Sequence, residues 1–230
     1  MNNQMYTKLS PERREFLEGL TAKEIKRAAE IMRPMSFFEP ESTNLNLDEL
    51  NAGFLEDTQY TNSRASLIRG GCIDPFVACQ NNNGDYGILL IERQGNPAKG
   101  YTWPLGGAKK RHMIGSEDSI NNIMRREGGE HLKIEDFLCL GFIDAAWGTT
   151  IGNAEYGGKG VHDEGLPYYV RTSGGVPIIM QKELEKNPII VTPDMWDNRK
   201  KISRLKNLHV YVEENMIKSQ ILLKDYLSEQ

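Results

Sequence analysis

The residues best placed to do chemistry lie between Trp103 and Glu130. Trp103-Pro-Leu-Gly-Gly107 reads as a strand end running into a glycine pair. There the backbone can approach a ligand closely, and Gly106 or Gly107 can offer a carbonyl oxygen to a metal. Ser116-Glu-Asp-Ser119 then caps a helix carrying Arg125, Arg126, Glu127 and Glu130. Glu127 and Glu130 are three residues apart and project from one helix face. Two carboxylates so spaced can hold a hard cation such as Mg²⁺, or Mn²⁺, which prefers oxygen ligands and keeps waters for substrate phosphates. Arg125 or Arg126 can orient the carboxylates or fork onto a phosphate. Lys109, Lys110, Arg111 and His112 form a basic stretch beside the glycine pair, suited to phosphate oxygens and equally to a solvated loop. The same holds for the glutamates, which taken alone also suit a solvated helix face.

This order of residues resembles the Nudix box, in which a glycine is followed at fixed spacing by a glutamate, an Arg-Glu pair and further glutamates. Two registers are open. Placing Arg125 at the box arginine puts Glu117 at the first acidic position and Glu130 at the last, with Arg126 and Gly129 standing where acids are usual. Placing Arg126-Glu127 there restores the Arg-Glu pair but leaves Asp118 and His131 at acidic positions. Both need four or five extra residues after Gly107. The run from Leu89 to Trp103, with Arg93, Asn96, Pro97, Ala98 and Gly100, is similar to the entry to the box in GDP-mannose mannosyl hydrolases. The resemblance covers residues 72–145 well and 165–212 weakly.

That resemblance implies a Nudix α/β/α sandwich with a mixed sheet, extended by helices at both ends. It implies Glu130 as the side-chain metal ligand beside a Gly106 or Gly107 carbonyl, and favours the first register. Glu127 or Glu117 would assist. It places Asp74 and Arg93 where relatives contact sugar or phosphate, and Tyr169 where they bind diphosphate. The Gln-His-Asp segment that supplies the base in those relatives has no counterpart here, which leaves His162 and His112 as substitutes. Relatives commonly dimerise.

The surrounding elements must position this segment. Ser10-Pro11 and the capping box Thr21–Glu24 start helices, and Ile25, Ala28, Ile31 and Met32 recur at helical spacing until Pro34. Residues 1–65 therefore form a helical arm or cap, and residues 66–230 the catalytic-type domain. Phe76–Cys79, a turn at Asn81–Asp85, and Tyr86–Ile91 read as a hairpin. Phe137–Ile143, Pro167–Arg171 and Pro177–Met180 read as strands, and residues 148–165 as a glycine-rich loop. Asn198–Ser228 is mostly helical.

The chain of 230 residues is long enough for one sizeable core, and its net charge of −4 argues against an extended nucleic-acid partner. Cys72, Cys79 and Cys139 form no CxxC pair and are expected to be reduced thiols. The N-terminal residues carry no apolar h-region, and no stretch approaches a membrane span, so a cytoplasmic location is expected. The expected activity is Mg²⁺-dependent hydrolysis of a nucleoside diphosphate linked to another group. A GDP-mannose-like nucleotide sugar is the first substrate class and an ADP-ribose or NADH type the second. The alternative is a non-catalytic nucleotide-binding or sensor module.

Overall fold

The computed structural model describes residues 9–31, 70–93, 100–108, 115–128, 132–147, 161–176, 188–206 and 208–230. Its spine is a parallel pair, β1 (Gly70–Gln80) and β7 (Val161–Thr172). These run in register from Gly70 opposite Asp163 to Ala78 opposite Arg171. Parallel neighbours need a long crossover, and here it includes helix α3 (Gly115–Ile123). Antiparallel strands complete a mixed sheet. β2 (Tyr86–Glu92) and β4 (Gly107–Ala108) flank β1. β3 (Thr102–Trp103) and β8 (Ile189–Val191) flank β2. β5 (Ile134–Cys139) and β6 (Ile143–Trp147) flank β7.

Both spine strands change partners midway. β1 gives Cys72 and Ile73 to β4, then Val77 to Gln80 to β2. β7 gives Val161 to Gly165 to β6, then residues 168–172 to β5. Pro75 and Pro167 stand at the two changeovers. Neither can donate a ladder hydrogen bond, so a proline is tolerated where pairing is handed from one strand to the next. The Pro167 carbonyl instead accepts from Leu140 N at 2.8 Å.

Side chains alternate across this sheet with the period of two that pleating imposes. Ile73, Val77, Cys79, Leu89, Tyr168 and Val170 pack under Ile120, Ile123 and Met124 of α3. On the opposite face, Phe76, Ala78, Ile88, Leu90 and Tyr169 meet the C-terminal helix α5 (Val210–Ser228). Between β8 and α5 lie α4 (Pro193–Asp197), capped by Thr192, and a short 3₁₀ turn. The helices α1 (Pro11–Glu18) and α2 (Ala22–Ile31) cover the outer side of α5 through Leu17, Ala22 and Ile25. Covered on two sides, α5 buries residues around much of its circumference. Arg13–Glu214, Arg14–Glu213 and Lys26–Asp225 pairs, each 2.8 Å, line the rim of that contact.

The result is the α/β/α sandwich with a mixed sheet and helical additions at both ends. Both expected helix starts form: Ser10 accepts from Arg13 N, and Thr21 and Glu24 cap each other. Two strand readings are corrected. Residues 161–165, expected as loop, are the first half of β7, because Gly165 lies against Ile143 where a side chain would not fit. Phe137–Ile143 is not one strand; the chain turns at Leu140–Phe142 and feeds β5 and β6 in succession. The strand expected at Pro177–Met180, and Pro34, lie outside the described residues. No described helix is long and apolar enough to cross a membrane.

A Cβ on Gly165 would lie 2.5 Å from Ile143 Cγ2. Gly165→Ala is therefore expected to destabilise by about 1–3 kcal/mol through overpacking, seen as a drop of several degrees in Tm.

Candidate functional site

The site is built around the backbone of Gly106. β3 ends at Trp103, the buried Leu105 anchors the connection, and Gly106 precedes β4 at the level of Asp74 on β1. A Cβ at Gly106 would collide with Asp74 Oδ1, so the position requires glycine. Its N–H donates to Glu127 Oε2 at 3.3 Å, and its carbonyl accepts from Arg126 Nη2 at 3.2 Å. Arg126 also donates from Nε to Glu127 Oε1 at 3.1 Å and forms a close ion pair with the same oxygen through Nη2. A Cβ on Gly107 would come within 2.7 Å of Arg126 Nη2, so the second glycine makes room for the guanidinium.

Neighbouring residues on an α-helix point about 100° apart. Arg126 and Glu127 nevertheless act on the same residue, from a π-helical turn, Met124–Gly128, at the end of α3. Glu127 is only 3% exposed. Burial raises its carboxyl pKa above the ordinary 4.5, and this outweighs the opposing pull of Arg126, the Gly106 amide and Arg93.

On the other side of Gly106 lies a second buried carboxylate. Asp74 is 7% exposed and accepts from the Tyr211 hydroxyl at 2.8 Å. Tyr211 stands in the first turn of α5, where burial and Asp74 hold its hydroxyl well above the usual phenol range. Gly106 thus connects the end of α3 with the start of α5. Beside it, the Trp103 ring lies 5.3 Å from Tyr211, and the Arg93 guanidinium lies 5.6 Å from the Trp103 ring centre.

Of the residues singled out from sequence, Gly106, Gly107, Arg126, Glu127 and Asp74 are brought together, with Arg93 close enough for its charge to act on Glu127. The pairing seats Arg126-Glu127 against the glycine loop, while Arg125 is exposed and reaches Asn122. Glu117 is exposed ten residues earlier, about 15 Å along the helix at 1.5 Å per residue. It lines a separate hollow of about 380 Å³ with Asn121, Lys133, Glu135 and Asp136. Tyr169 points into the α5 face of the core. Its hydroxyl is buried without a hydrogen-bond partner among the described residues, and its pKa is pushed up by that burial. His162 lies in the first half of β7, opposite Ala146. Lys109, Lys110, Arg111, His112 and Glu130 lie outside the described residues. Tyr211 was not anticipated; nothing in its local sequence signals a partner 137 positions away.

Among the described residues no three His, Cys, Asp or Glu side chains converge as a metal cluster. The donors present fit a hard divalent cation in kind: the buried Glu127 carboxylate and the Gly106 carbonyl, both oxygen ligands gathered by Arg126.

No protein-family model matches the chain. No curated protein matches it. Solved structures do. One is the NUDIX domain of Shewanella oneidensis NrtR complexed with ADP ribose, 12% identical with TM-score 0.47, covering 75% of this chain and 99% of that one. Another is a NUDIX-family hydrolase from Clostridium perfringens, 14% identical with TM-score 0.46, covering 70% and 99%. A third is the MutT protein from Methanosarcina mazei, 12% identical with TM-score 0.42, covering 71% and 99%.

Two outcomes are expected. Tyr211→Phe leaves a buried carboxylate short of a donor and should cost about 1–3 kcal/mol; adding Asp74→Asn should cost less than the sum of the two single changes in a urea-unfolding cycle. The raised Glu127 pKa means the folded state holds that proton more tightly than the unfolded chain. The stability this contributes is complete below 4.5 and is lost as pH rises through the raised value. Glu127→Gln in metal-free protein should remove that step, seen as the difference from wild type across the acid-to-neutral range.

Proposed function

We propose that the chain is a Nudix-type hydrolase of a nucleoside diphosphate linked to a second group, with a nucleotide sugar as the first substrate class. The observation that carries this reading is the clamp in which Glu127 and Arg126 grip the N–H and the carbonyl of Gly106, in the two peptide groups that flank its Cα. Such a clamp fixes a carbonyl at the edge of the sheet and fixes the helix end that leads to Glu130.

In this reading Glu130 and a Gly106 or Gly107 carbonyl hold Mg²⁺ or Mn²⁺, with Glu127 behind them. When bound, the cation neutralises charge on the diphosphate and makes water a better nucleophile. The chain's own groups do the rest. Arg93 binds phosphate oxygens from the Trp103 side, and Lys109, Lys110 and Arg111 do so from the glycine loop. Arg126 keeps the loop carbonyl aimed and screens the buried Glu127 charge. His162 is the candidate to accept the proton of the attacking water. Asp74 and Tyr169, both buried, support the site from beneath. Glu117 has a role at the opposite end of α3 or none in the reaction.

A second reading rests on one specific feature. Both Glu127 oxygens are already engaged, by Arg126 and by the Gly106 amide. A protein that keeps this arrangement with ligand bound would be a nucleotide sensor and would need no metal.

Purified protein with Mg²⁺, nucleotide sugars, ADP-ribose and NADH separates the two. Turnover is expected, with loss of activity in Glu130→Gln and a fall of about 10–100-fold in Arg126→Ala, the scale for a residue that orients a ligand. Absence of turnover across the panel overturns the hydrolase reading, as does a Glu130→Gln variant that behaves like wild type. Ligand-induced thermal stabilisation that is independent of metal supports the sensor.

A further inference from the structure

A group of rings sits at the edge of the candidate site, where the β2–β3 hairpin meets the start of α5. Ile91 pairs with Trp103 and Glu92 with Thr102. The ladder closes with Arg93 N donating to the Tyr101 carbonyl at 2.9 Å and Gly100 N to the Arg93 carbonyl at 2.7 Å. Gly100 turns the chain with φ +82. Arg93 and Tyr101 therefore stand opposite each other, and Tyr101 and Trp103, two apart, share a face.

His209 lies against both rings, 5.7 Å from Tyr101 in a T-shaped contact and 5.5 Å from Trp103. Its Nδ1 accepts from Tyr211 N at 3.3 Å as the N-cap of α5, so the neutral ring carries its proton on Nε2. Burial favours that neutral form. Thr102 Oγ1 donates to the Arg204 carbonyl at 3.1 Å and holds the approach to α5 against the hairpin.

Trp103 is 4% exposed, whereas Tyr101 is 40% exposed and meets the half-buried His209 in a T-shaped contact. The Arg93 guanidinium lies over Trp103 and its charge also acts on Glu127. One arginine thus spans the interval from the aromatic rings to the buried carboxylate. An exposed aromatic ring, a cation over the neighbouring Trp103 and the Arg126–Glu127 clamp offer in turn what the base and the successive phosphates of a nucleoside diphosphate would need.

We propose that Tyr101, backed by His209 and Trp103, is the seat of the nucleobase, and that Arg93 receives the adjoining phosphate. This rests on the hydrolase reading for the direction of the phosphates but not for the ring contact itself. Stacking of a base on an aromatic side chain is tolerant of base identity. The site therefore selects for a base over none and discriminates weakly between bases.

The test is calorimetric titration, without divalent metal, of GMP, AMP and ribose 5-phosphate into wild-type protein and into Tyr101→Ala, Tyr101→Phe and Arg93→Ala. Wild type should bind both nucleotides on the order of tenfold more tightly than ribose 5-phosphate. Tyr101→Ala should lose that difference while keeping its affinity for ribose 5-phosphate; Tyr101→Phe should retain it. Arg93→Ala should weaken all three ligands alike. Equal binding of nucleotides and ribose 5-phosphate by wild type overturns the proposal, undetectable binding of all included. So does a Tyr101→Ala variant that still prefers the nucleotides. The two readings fail separately: Tyr101-dependent binding without turnover removes the hydrolase, and turnover without Tyr101 dependence removes the base seat.

Discussion

The backbone of Gly106 sits between two buried carboxylates, bonded to Glu127 through its N–H and packed against Asp74, and much of the architecture serves that arrangement. A carboxylate withdrawn from water is costly unless its oxygens are paired. Glu127 meets the condition with Arg126 and the Gly106 amide, and Asp74 meets it with Tyr211. Each solution recruits a different helix. The end of α3 comes to one side of the glycine and the start of α5 to the other. Only a residue without a side chain fits between them.

Such convergence needs an opening in the sheet. A continuous ladder on β1 would place strand backbone where Asp74, Gly106 and Tyr211 meet. The strand instead hands its pairing from β4 to β2 around Pro75, and β7 changes partners at the matching level around Pro167. The parallel β1–β7 pair stays intact through both changes, so the opening does not divide the core. Clusters on the two faces then fix the helices independently, α3 above and α5 below. The N-terminal helices add a second contact to α5, and their ion pairs contribute little energy at such exposed positions. The apolar residues Leu17, Ala22 and Ile25 account for that contact.

What could be read from sequence was local. Ser10-Pro11 and Thr21–Glu24 announced their helices because caps are decided within four residues. The Asn81–Asp85 turn was legible because the Asn81 side chain satisfies the turn's own amides, at Asn83 and Asp85. The glycine pair and the Arg-Glu pair were legible as chemistry, but the choice of register was not. Arg125 and Arg126 are equivalent in sequence, and only the widened turn at Met124–Gly128 sends Arg126 to the glycine and leaves Arg125 in solvent. The first half of β7 was hidden because its pattern, Val161-His-Asp-Glu-Gly165, is polar and follows a glycine-rich stretch. A strand of that kind is specified by its neighbours β1 and β6 rather than by its own residues. Asp74 was found for a contact with substrate, yet its partner is a tyrosine on the last helix, a relation no local pattern encodes.

Three-residue spacing suggested Glu127 as a partner to Glu130 in holding a cation, whereas its surroundings suit it to support. Glu127 sits so deep that burial prevails over a direct arginine contact in setting its proton affinity. A group in that position is poor at exchanging partners, because releasing Arg126 would leave the buried Glu127 charge without its cation. It is well suited to hold a peptide still. The proposed metal-ligand role of Glu130 is therefore not one that Glu127 shares on equal terms. Arg126 then carries two tasks at once: it neutralises the support and aims the Gly106 carbonyl. A lysine there would keep the charge but lose the fork that reaches carboxylate and carbonyl together.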